Sequence, residues 1–337
     1  MNSLERVMAA VTFAVPDRVP VIAQVFGHAA SVAGVPLEEY IRDGAVLAHC
    51  QLQALEKYRY DAVFTTMDVN VETEAMGSTI RYRKNQYTTI DAYALAAGDD
   101  WTGLTPPDPE RDGRMPEMLR ALRLLKSELQ NEVLIVGCLM GPMTLALQLL
   151  GPETALYLAI DEPDRFARLL DLATDVAIRY GEAQLAAGAH LPIVFDPAAS
   201  PAVVPRQFFR EFALPRLKKL FTALKRAGAA ANWLHIAGPA GPILPFYPDA
   251  GVDIANFDYY VTAQAARAAL PETCLDGNIK SLSFVESRAE EIRGEADALL
   301  SAFRGRGGYI LSSGCEIPPE SRPENVAALV AAARDSG

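Results

Sequence analysis

The chain of 337 residues lacks the features that mark secreted or membrane proteins. Its four cysteines, Cys50, Cys138, Cys274 and Cys315, show no short-range pairing pattern, so we expect reduced thiols or metal ligands rather than disulfides. No apolar run approaches the roughly 18 residues that a membrane span needs. Met1–Ala10 also lacks the apolar core of a signal peptide. These absences predict a cytoplasmic protein without a membrane partner.

Basic residues are also in short supply. Lys and Arg total 31 against 42 Asp and Glu, which gives a net charge of −11, and no basic stripe compensates for it. Because a nucleic-acid surface needs clustered Lys and Arg, we expect no nucleic-acid partner. A Gly-rich first strand–helix turn of the dinucleotide type is absent too, which argues against the alternative fold, a doubly wound open sheet.

The sequence does contain a regular alternation of apolar strands and amphipathic helices. Eight strands are predicted, at Val19–Val25, Tyr60–Thr66, Glu132–Gly137, Leu191–Phe195, Ala230–Leu234, Val252–Ala255, Thr273–Leu275 and Gly308–Leu311. Six of the predicted helices are Pro36–Lys57, Pro116–Leu129, Asp164–Ala187, Gln207–Ala227, Ala263–Leu270 and Val285–Phe303. Between Gly77 and Gly113 an alternating segment and a proline-rich loop predict a hairpin excursion after the second strand. The whole pattern predicts an α/β fold, a (β/α)8 TIM barrel forming a single domain over residues 1–337.

Two of the predicted strand ends carry side chains suited to chemistry. Cys315 lies in the polar loop after the eighth strand, between Gly314 and Glu316, and His235 closes the fifth strand. Because the carboxyl ends of barrel strands meet at one mouth, we expect His235 and Cys315 to face each other there. The alternative for His235 is a hydrogen-bonded core histidine.

Several motifs resemble one known family. They are DAVFTTMDVNVETEAMG at 61–77, GPMTLALQLLG at 141–151, WLHIAG at 233–238, CLDGNI at 274–279 and YILSSGCEIPPESRPENVAALV at 309–330. In this order they resemble the uroporphyrinogen decarboxylase superfamily. Within it, the chain is more similar to the methylcobalamin:coenzyme M and related corrinoid methyltransferases than to the decarboxylases.

Sequence differences from the decarboxylases support the greater similarity to the methyltransferases. The decarboxylases have a GHG-type motif where this chain has Gly314-Cys315-Glu316, and an arginine-rich MRQAGR segment where residues 23–28 read AQVFGH. The decarboxylase tyrosine falls near Gln148. A tetra-anionic porphyrinogen would lack its counter-charges here, so we do not expect uroporphyrinogen decarboxylation.

The resemblance also implies a zinc site. The methyltransferases bind zinc through a His-x-Cys pair after the fifth strand and a Cys after the eighth, and these positions are His235, Ala237 and Cys315 in this chain. Alanine has no donor atom, so the third ligand is missing. The candidates to replace it are Glu316, Cys274, Asp196 and Asp276. Zinc at this site would bind an acceptor thiol and lower its pKa.

Other polar residues match family positions or follow predicted strands. Asp68 and Glu74 match acids of the family, so the resemblance implies a catalytic role for both. The predicted substrate-binding residues are Asp196, Ser200, Tyr247, Asn256, Asp276 and Asn278. For Asp276 and Asn278, ordinary turn chemistry is the alternative.

Three functions remain open from the sequence. The favoured one is a corrinoid-dependent methyltransferase acting between a methyl-corrinoid and a small molecule, with zinc-assisted methylation of a thiol. The corrinoid would be carried by a separate protein, because the chain has no Asp-x-His-x-x-Gly signature. The second is a metal-free relative, decarboxylase-like or with a non-thiol acceptor such as a folate, that uses His235 and Asp68 for proton transfer. The third is a non-catalytic binder of a corrinoid or tetrapyrrole.

Overall fold

A ring of parallel strands forms the centre of the molecule. The computed structural model describes residues 1–101 and 103–335. Its strands are β1 (Val21–Ile22), β2 (Ala62–Phe64), β3 (Thr79–Arg83), β4 (Gln86–Ala92), β5 (Leu134–Met140), β6 (Leu191–Phe195), β7 (Trp233–His235), β8 (Ile254–Asn256), β9 (Cys274–Ile279) and β10 (Tyr309–Ser313). Eight of them form one sheet in the order β1-β10-β9-β8-β7-β6-β5-β2, all parallel. The predicted (β/α)8 barrel is therefore confirmed.

Helices surround this ring. They are α1 (Ser3–Val11), α2 (His28–Ala33), α3 (Leu37–Tyr40), α4 (Gly44–Tyr58), α5 (Val71–Ala75), α6 (Met115–Leu129), α7 (Pro142–Leu150), α8 (Pro152–Asp161), α9 (Pro163–Ala186), α10 (Arg206–Phe208), α11 (Leu214–Arg226), α12 (Tyr247–Ala250), α13 (Ala263–Ala269), α14 (Ser283–Glu286), α15 (Ala289–Phe303) and α16 (Pro323–Asp335). Around the barrel, α4 packs on α6, α9 on α11, and α15 on α16. The predicted hairpin is also present, because β3 and β4 pair antiparallel after the second strand.

Two predicted helices are interrupted in the structure. The helix expected at Pro36–Lys57 is divided into α3, which ends at Tyr40, and α4, which Asp43 caps. Asp43 Oδ1 accepts from the N–H groups of Ala45 (2.7 Å) and Val46 (3.1 Å). The helix expected at Gln207–Ala227 contains a π-helical turn at Phe209–Ala213 between α10 and α11. Apolar periodicity predicts the helical segments but not these local breaks.

Two predicted strands have different lengths from those expected. β1 covers only two residues of Val19–Val25, with an isolated bridge from Val25 to Ile317 further along. β9 extends to Ile279, so Asp276 and Asn278 lie within a strand and not in a turn. The turn interpretation of these two residues was wrong because a Gly-Asn pair can continue a strand when its neighbour, here β10, supplies the hydrogen-bond ladder.

The ring closes between β1 and β2 mainly through side chains. The N–H of Asp61 donates to the Val21 carbonyl, and the Val21 N–H donates to Asp61 Oδ2, both at 2.8 Å. Further along, Gln51 on α4 donates to the Val25 carbonyl (2.9 Å) and accepts from the Phe64 N–H (3.2 Å). These two side chains satisfy the backbone groups that a direct ladder would otherwise pair.

Among the residues that the structure covers, no single helix is long and apolar enough to cross a membrane. Taken together, α7 and α8 have the length and composition of a membrane span, but the chain bends by 107° between them.

We expect Asp61 to be a major source of stability. It is fully buried, and it accepts from Arg6 (2.8 Å), from Arg18 (2.8 and 2.9 Å), from Ser3 Oγ (2.7 Å) and from the Val21 N–H. Asp61→Asn should lower the free energy of unfolding by about 3 to 5 kcal/mol, since two buried or half-buried guanidinium groups lose their charge partner. Urea denaturation followed by circular dichroism measures this loss.

Asp175→Asn is the matched control, because Asp175 pairs with Lys219 (2.6 Å) between two exposed side chains. Its loss should be below about 1 kcal/mol. Equal losses in the two variants would show that Asp61 does not close the barrel.

Candidate active site

A small cavity lies at the carboxyl ends of the barrel strands. It has a volume of about 250 Å³. Its walls are formed by Phe26, Thr66, Asp68, Val69, Tyr87, Met140, Thr144, Gln148, Phe195, Pro197, His235, Ala237, Cys315 and Glu316. Met140, Phe195 and His235 are register neighbours on β5, β6 and β7, so their side chains share one face of the sheet. Most of the wall is apolar, and its polar groups converge from several strand ends.

The structure brings His235 and Cys315 to this one cavity. The His235 side chain is buried, and its ring centroid lies 4.8 Å from that of Phe195. Neither ring nitrogen has a hydrogen-bond partner among the described residues. Burial lowers the pKa of His235 to about 3, so the imidazole is neutral at physiological pH with a lone pair available. Burial also raises the pKa of the Cys315 thiol to about 11.

Glu316 is held in the same wall by the hairpin. Tyr87 on β4 donates a short hydrogen bond to Glu316 Oε1, and the Gly27 N–H approaches the same oxygen at 3.4 Å and the Tyr87 hydroxyl at 2.8 Å. Burial raises the pKa of Glu316 to about 7, although the Tyr87 hydrogen bond opposes this shift. The hairpin therefore supplies part of the site as well as part of the surface.

The donor set does not fit a catalytic zinc ion. Such a site has three protein ligands and an open position. Ala237 lines the cavity beside His235 and Cys315 but offers no donor, and Cys274 is fully buried and does not line the cavity. Within residues 1–101 and 103–335, no three His, Cys, Asp or Glu side chains are grouped to hold a metal ion. The zinc that the sequence led us to expect has two of its ligands here and lacks the third.

Asp68 and Glu74 are tied to one buried arginine. Arg114 donates to both oxygens of Asp68 (2.7 and 3.0 Å) and to Glu74 Oε2 (2.6 Å). Asp68 also accepts from Thr88 Oγ1 and the Asn70 N–H, both at 2.8 Å. Burial alone would lower the pKa of Arg114, but the two carboxylates outweigh it and the pKa is raised. An Asp68 with four donors is arranged to hold the rim of the cavity, and Glu74 does not line the cavity.

The six predicted substrate-binding residues lie outside the cavity wall. Thr144 separates Asp196 from the space, donating to its Oδ1 from both N–H (2.7 Å) and Oγ1 (2.8 Å), and burial raises the pKa of Asp196 to about 6. Asn256 donates to Asp276 Oδ2 at 2.9 Å inside the barrel. The other three are Ser200, which is buried, Tyr247, which is fully buried, and Asn278, whose amide donates to the Val261 carbonyl at 2.8 Å. Their positions after strands predicted that these residues would face the mouth. In the structure, strand register or neighbouring side chains keep them out of the cavity wall.

Sequence reasoning missed several residues of the site. Tyr87 lies in the hairpin and Phe26 in the loop after β1, while Arg114 comes just before α6. No local signal marks position 114, because acidic residues such as Asp112 and Glu117 lie close to Arg114 in the sequence. No local signal marks Tyr87 or Phe26, because only the closed barrel brings them to the mouth.

The barrel, with a cavity walled by strand-end side chains, defines a (β/α)8 protein with a candidate ligand site at the carboxyl ends of its strands. Comparison with known families agrees with this class. The chain belongs to the uroporphyrinogen decarboxylase (URO-D) family, which matches residues 2–336.

The proteins to which this chain is similar include both methyltransferases and decarboxylases. The chain is 29% identical over 290 residues to the methylcobamide:CoM methyltransferase MtaA of Methanosarcina barkeri, covering 85% of this chain and 81% of that protein. It is 29% identical over 299 residues to the uroporphyrinogen decarboxylase of Syntrophotalea carbinolica, covering 87% and 84%. A solved structure of a methyltransferase from Methanosarcina mazei superposes with a TM-score of 0.91 at 27% identity, covering 100% and 99% of the two chains.

The lining of the cavity carries no cationic side chain. The fourteen residues that line the cavity include neither Lys nor Arg, and Arg114 behind them is already paired with two carboxylates. A substrate with four carboxylates needs cationic partners in its site. The cavity therefore does not suit a porphyrinogen, as the sequence predicted.

We expect the buried Asp276 to make stability depend on pH. Burial raises its pKa to about 7, whereas the unfolded chain returns it to an ordinary value. Between these two values the native state keeps a proton that the unfolded state releases, so the free energy of unfolding falls as pH rises through that window. From pH 5 to 8, Asp276→Asn should remove about 2 to 3 kcal/mol of this fall.

Urea denaturation of both proteins at several pH values measures the slope. The free energy of unfolding should fall more steeply with pH in wild type than in the variant. Glu72, whose pKa burial raises to about 7, adds the same pH dependence to both proteins. Parallel curves would mean that Asp276 is ionised in the native protein at pH 5.

Proposed function

We propose that this chain, one barrel domain over residues 1–337, is a corrinoid-dependent methyltransferase. It would move a methyl group between a methyl-corrinoid carried by a separate protein and a small molecule bound in the mouth cavity. The observation that carries the proposal is that His235 and Cys315 line one small, mostly apolar cavity, and that neither His235 ring nitrogen has a hydrogen-bond partner among the described residues. Similarity to proteins named as methylcobamide:CoM and methylated-thiol–coenzyme M methyltransferases supports it.

The cavity suits a methyl transfer for physical reasons. A methyl group is small and apolar, and Phe26, Met140 and Phe195 give it apolar surroundings. In the transfer the cobalt–carbon bond breaks, its electron pair stays on cobalt, and the carbon forms a bond to the nucleophile. Walls that exclude water protect the strongly reducing cobalt product from side reactions. The mouth position leaves the outer side of the cavity for the corrinoid face.

The chain's own residues would bind and orient the small molecule. His235 offers a hydrogen bond from inside the cavity in a fixed orientation, because Phe195 packs against its ring. Asp68 and Arg114 hold the rim, and Tyr87 fixes Glu316 beside Cys315. We further propose that the protein acts in the cytoplasm, without a nucleic-acid or membrane partner.

The second candidate, proton transfer by His235 and Asp68 in a decarboxylase-like reaction, has less support. Asp68 already accepts four hydrogen bonds, two of them from Arg114, so adding a proton to it would break a buried ion pair. A non-catalytic binder remains the third candidate, and turnover of any acceptor removes it.

We expect His235→Ala to lower kcat/KM by about 100-fold or more, since it removes the only imidazole in the cavity wall. Anaerobic loss of methylcobalamin absorbance, with a panel of thiol, amine and folate acceptors, measures the rate. His49→Ala is the matched control, because His49 is exposed on α4. It should stay within about twofold of wild type.

Two results would contradict the proposal. An unchanged rate in the His235 variant would remove that residue from the reaction. Methylcobalamin left intact by wild type with every acceptor, and also with methylated corrinoid proteins, would show that the chain is no methyltransferase.

A further inference from the structure

Ala237 stands where a metal ligand would complete the cavity. It lies two residues beyond His235, at the end of β7, and lines the same space as Cys315. The loop that carries it is anchored, since the next residue, Gly238, donates its N–H to Asp258 Oδ2 at 2.7 Å and has a φ of 88°. A donor atom at position 237 would therefore point toward a defined place, and alanine leaves that place apolar.

The described residues provide no replacement for that ligand. Asp196, Asp276 and Cys274 are fully buried and do not line the cavity. Glu316 does line the cavity, but its Oε1 is held by the Tyr87 hydroxyl and approached by the Gly27 N–H. Within the described residues, Glu316 is not grouped with two other His, Cys, Asp or Glu side chains in a way that could hold a metal ion. Two ligands without a third make a weak zinc site.

The charges of the cavity point to the kind of nucleophile it accepts. Its lining includes the carboxyl groups of Asp68 and Glu316 and no cationic side chain. A thiolate, or an acceptor with a sulfonate, would bring a negative charge into this wall without a counter-charge. A neutral amine brings none, and the positive charge that develops on its nitrogen as it attacks meets the Glu316 carboxyl and no cationic side chain in the lining.

We propose that Ala237 makes this barrel a metal-free site whose acceptor is a neutral amine. This rests on the methyltransferase function proposed above. A secondary amine uses its lone pair to form the nitrogen–carbon bond while the cobalt–carbon bond breaks. The bond pair stays on cobalt, which goes from Co(III) to Co(I), and the N-methylated ammonium then releases its proton to water. The amine donates its own N–H to a ring nitrogen of His235, which leaves the amine lone pair free to attack. No Lewis acid is needed, because the site takes the amine in its free-base form.

Metal content tests the first half of the proposal independently of activity. Wild type, Ala237→Cys and the double variant Ala237→Cys/His235→Ala would be stripped with chelator, incubated with zinc, dialysed and analysed by mass spectrometry. We expect below about 0.1 zinc per chain in wild type and about one in Ala237→Cys, lost again in the double variant. Ala237→Ser is the matched control, since it adds similar bulk without a good zinc ligand.

A wild-type protein that holds about one zinc per chain, and loses it in His235→Ala, would overturn the metal-free site. If Ala237→Cys does not fold, zinc calorimetry on wild type decides alone: binding of about one equivalent with micromolar or tighter affinity overturns the proposal, and weaker binding supports it.

The second half is tested with two probes, each assayed with and without EDTA. Dimethylamine should consume methylcobalamin, and 2-mercaptoethanesulfonate, a thiol with a permanent negative charge, should not. Turnover with the thiol alone, abolished by EDTA, would overturn this inference and leave the methyltransferase function standing. Turnover with neither probe would overturn the amine assignment, and the wider acceptor panel then decides separately on the methyltransferase function.

Discussion

Closure of the strand ring between β1 and β2 is the constraint on which the site depends. The two strands are short, and the contacts that join them run through the side chains of Asp61 and Gln51. Asp61 holds the lower end with two arginines, and Gln51 holds the upper end near Val25. If the ring opened here, the loop after β1 and the loop after β10 would move away from β7, and the cavity would lose its walls.

The site is assembled by a chain of polar contacts outside the ring. Arg114 joins Asp68 and Glu74, and through Asp68 it also fixes Thr88 of the hairpin. Tyr87, the neighbour of Thr88, then reaches Glu316 at the opposite rim. The hairpin therefore links the loop after β2 to the loop after β10. Buried charges of this kind stabilise a structure only when every member keeps its partners.

Burial sets the electrostatics of the cavity. Burial keeps His235 neutral, favours the protonated thiol of Cys315 and raises the pKa of Glu316 to about 7. The result is a small, weakly charged chamber in a strongly acidic protein. Such a chamber disfavours anions, because each uncompensated charge costs free energy on entry.

The predictable part of the molecule is the part that local pattern controls. All eight barrel strands, the hairpin and most helices follow from apolar periodicity and from Gly and Pro punctuation. The breaks do not: Asp43 divides one helix by a capping bond, and β9 continues through Gly277-Asn278 because β10 pairs with it. Such events depend on single hydrogen bonds that no periodicity records.

The site divides in the same way. The amino-acid sequence alone determined the barrel, the position of His235 and Cys315 at strand ends, and the lack of a donor at position 237. The alternation of strands and helices along the chain, and the residues at which strands end, are local properties. Only the tertiary structure decided that Tyr87 and Arg114 belong to the site and that Asp196, Asp276 and Tyr247 lie outside the cavity. The reason is geometric: which side chains share a space depends on register and closure, and these join residues that are distant in the chain.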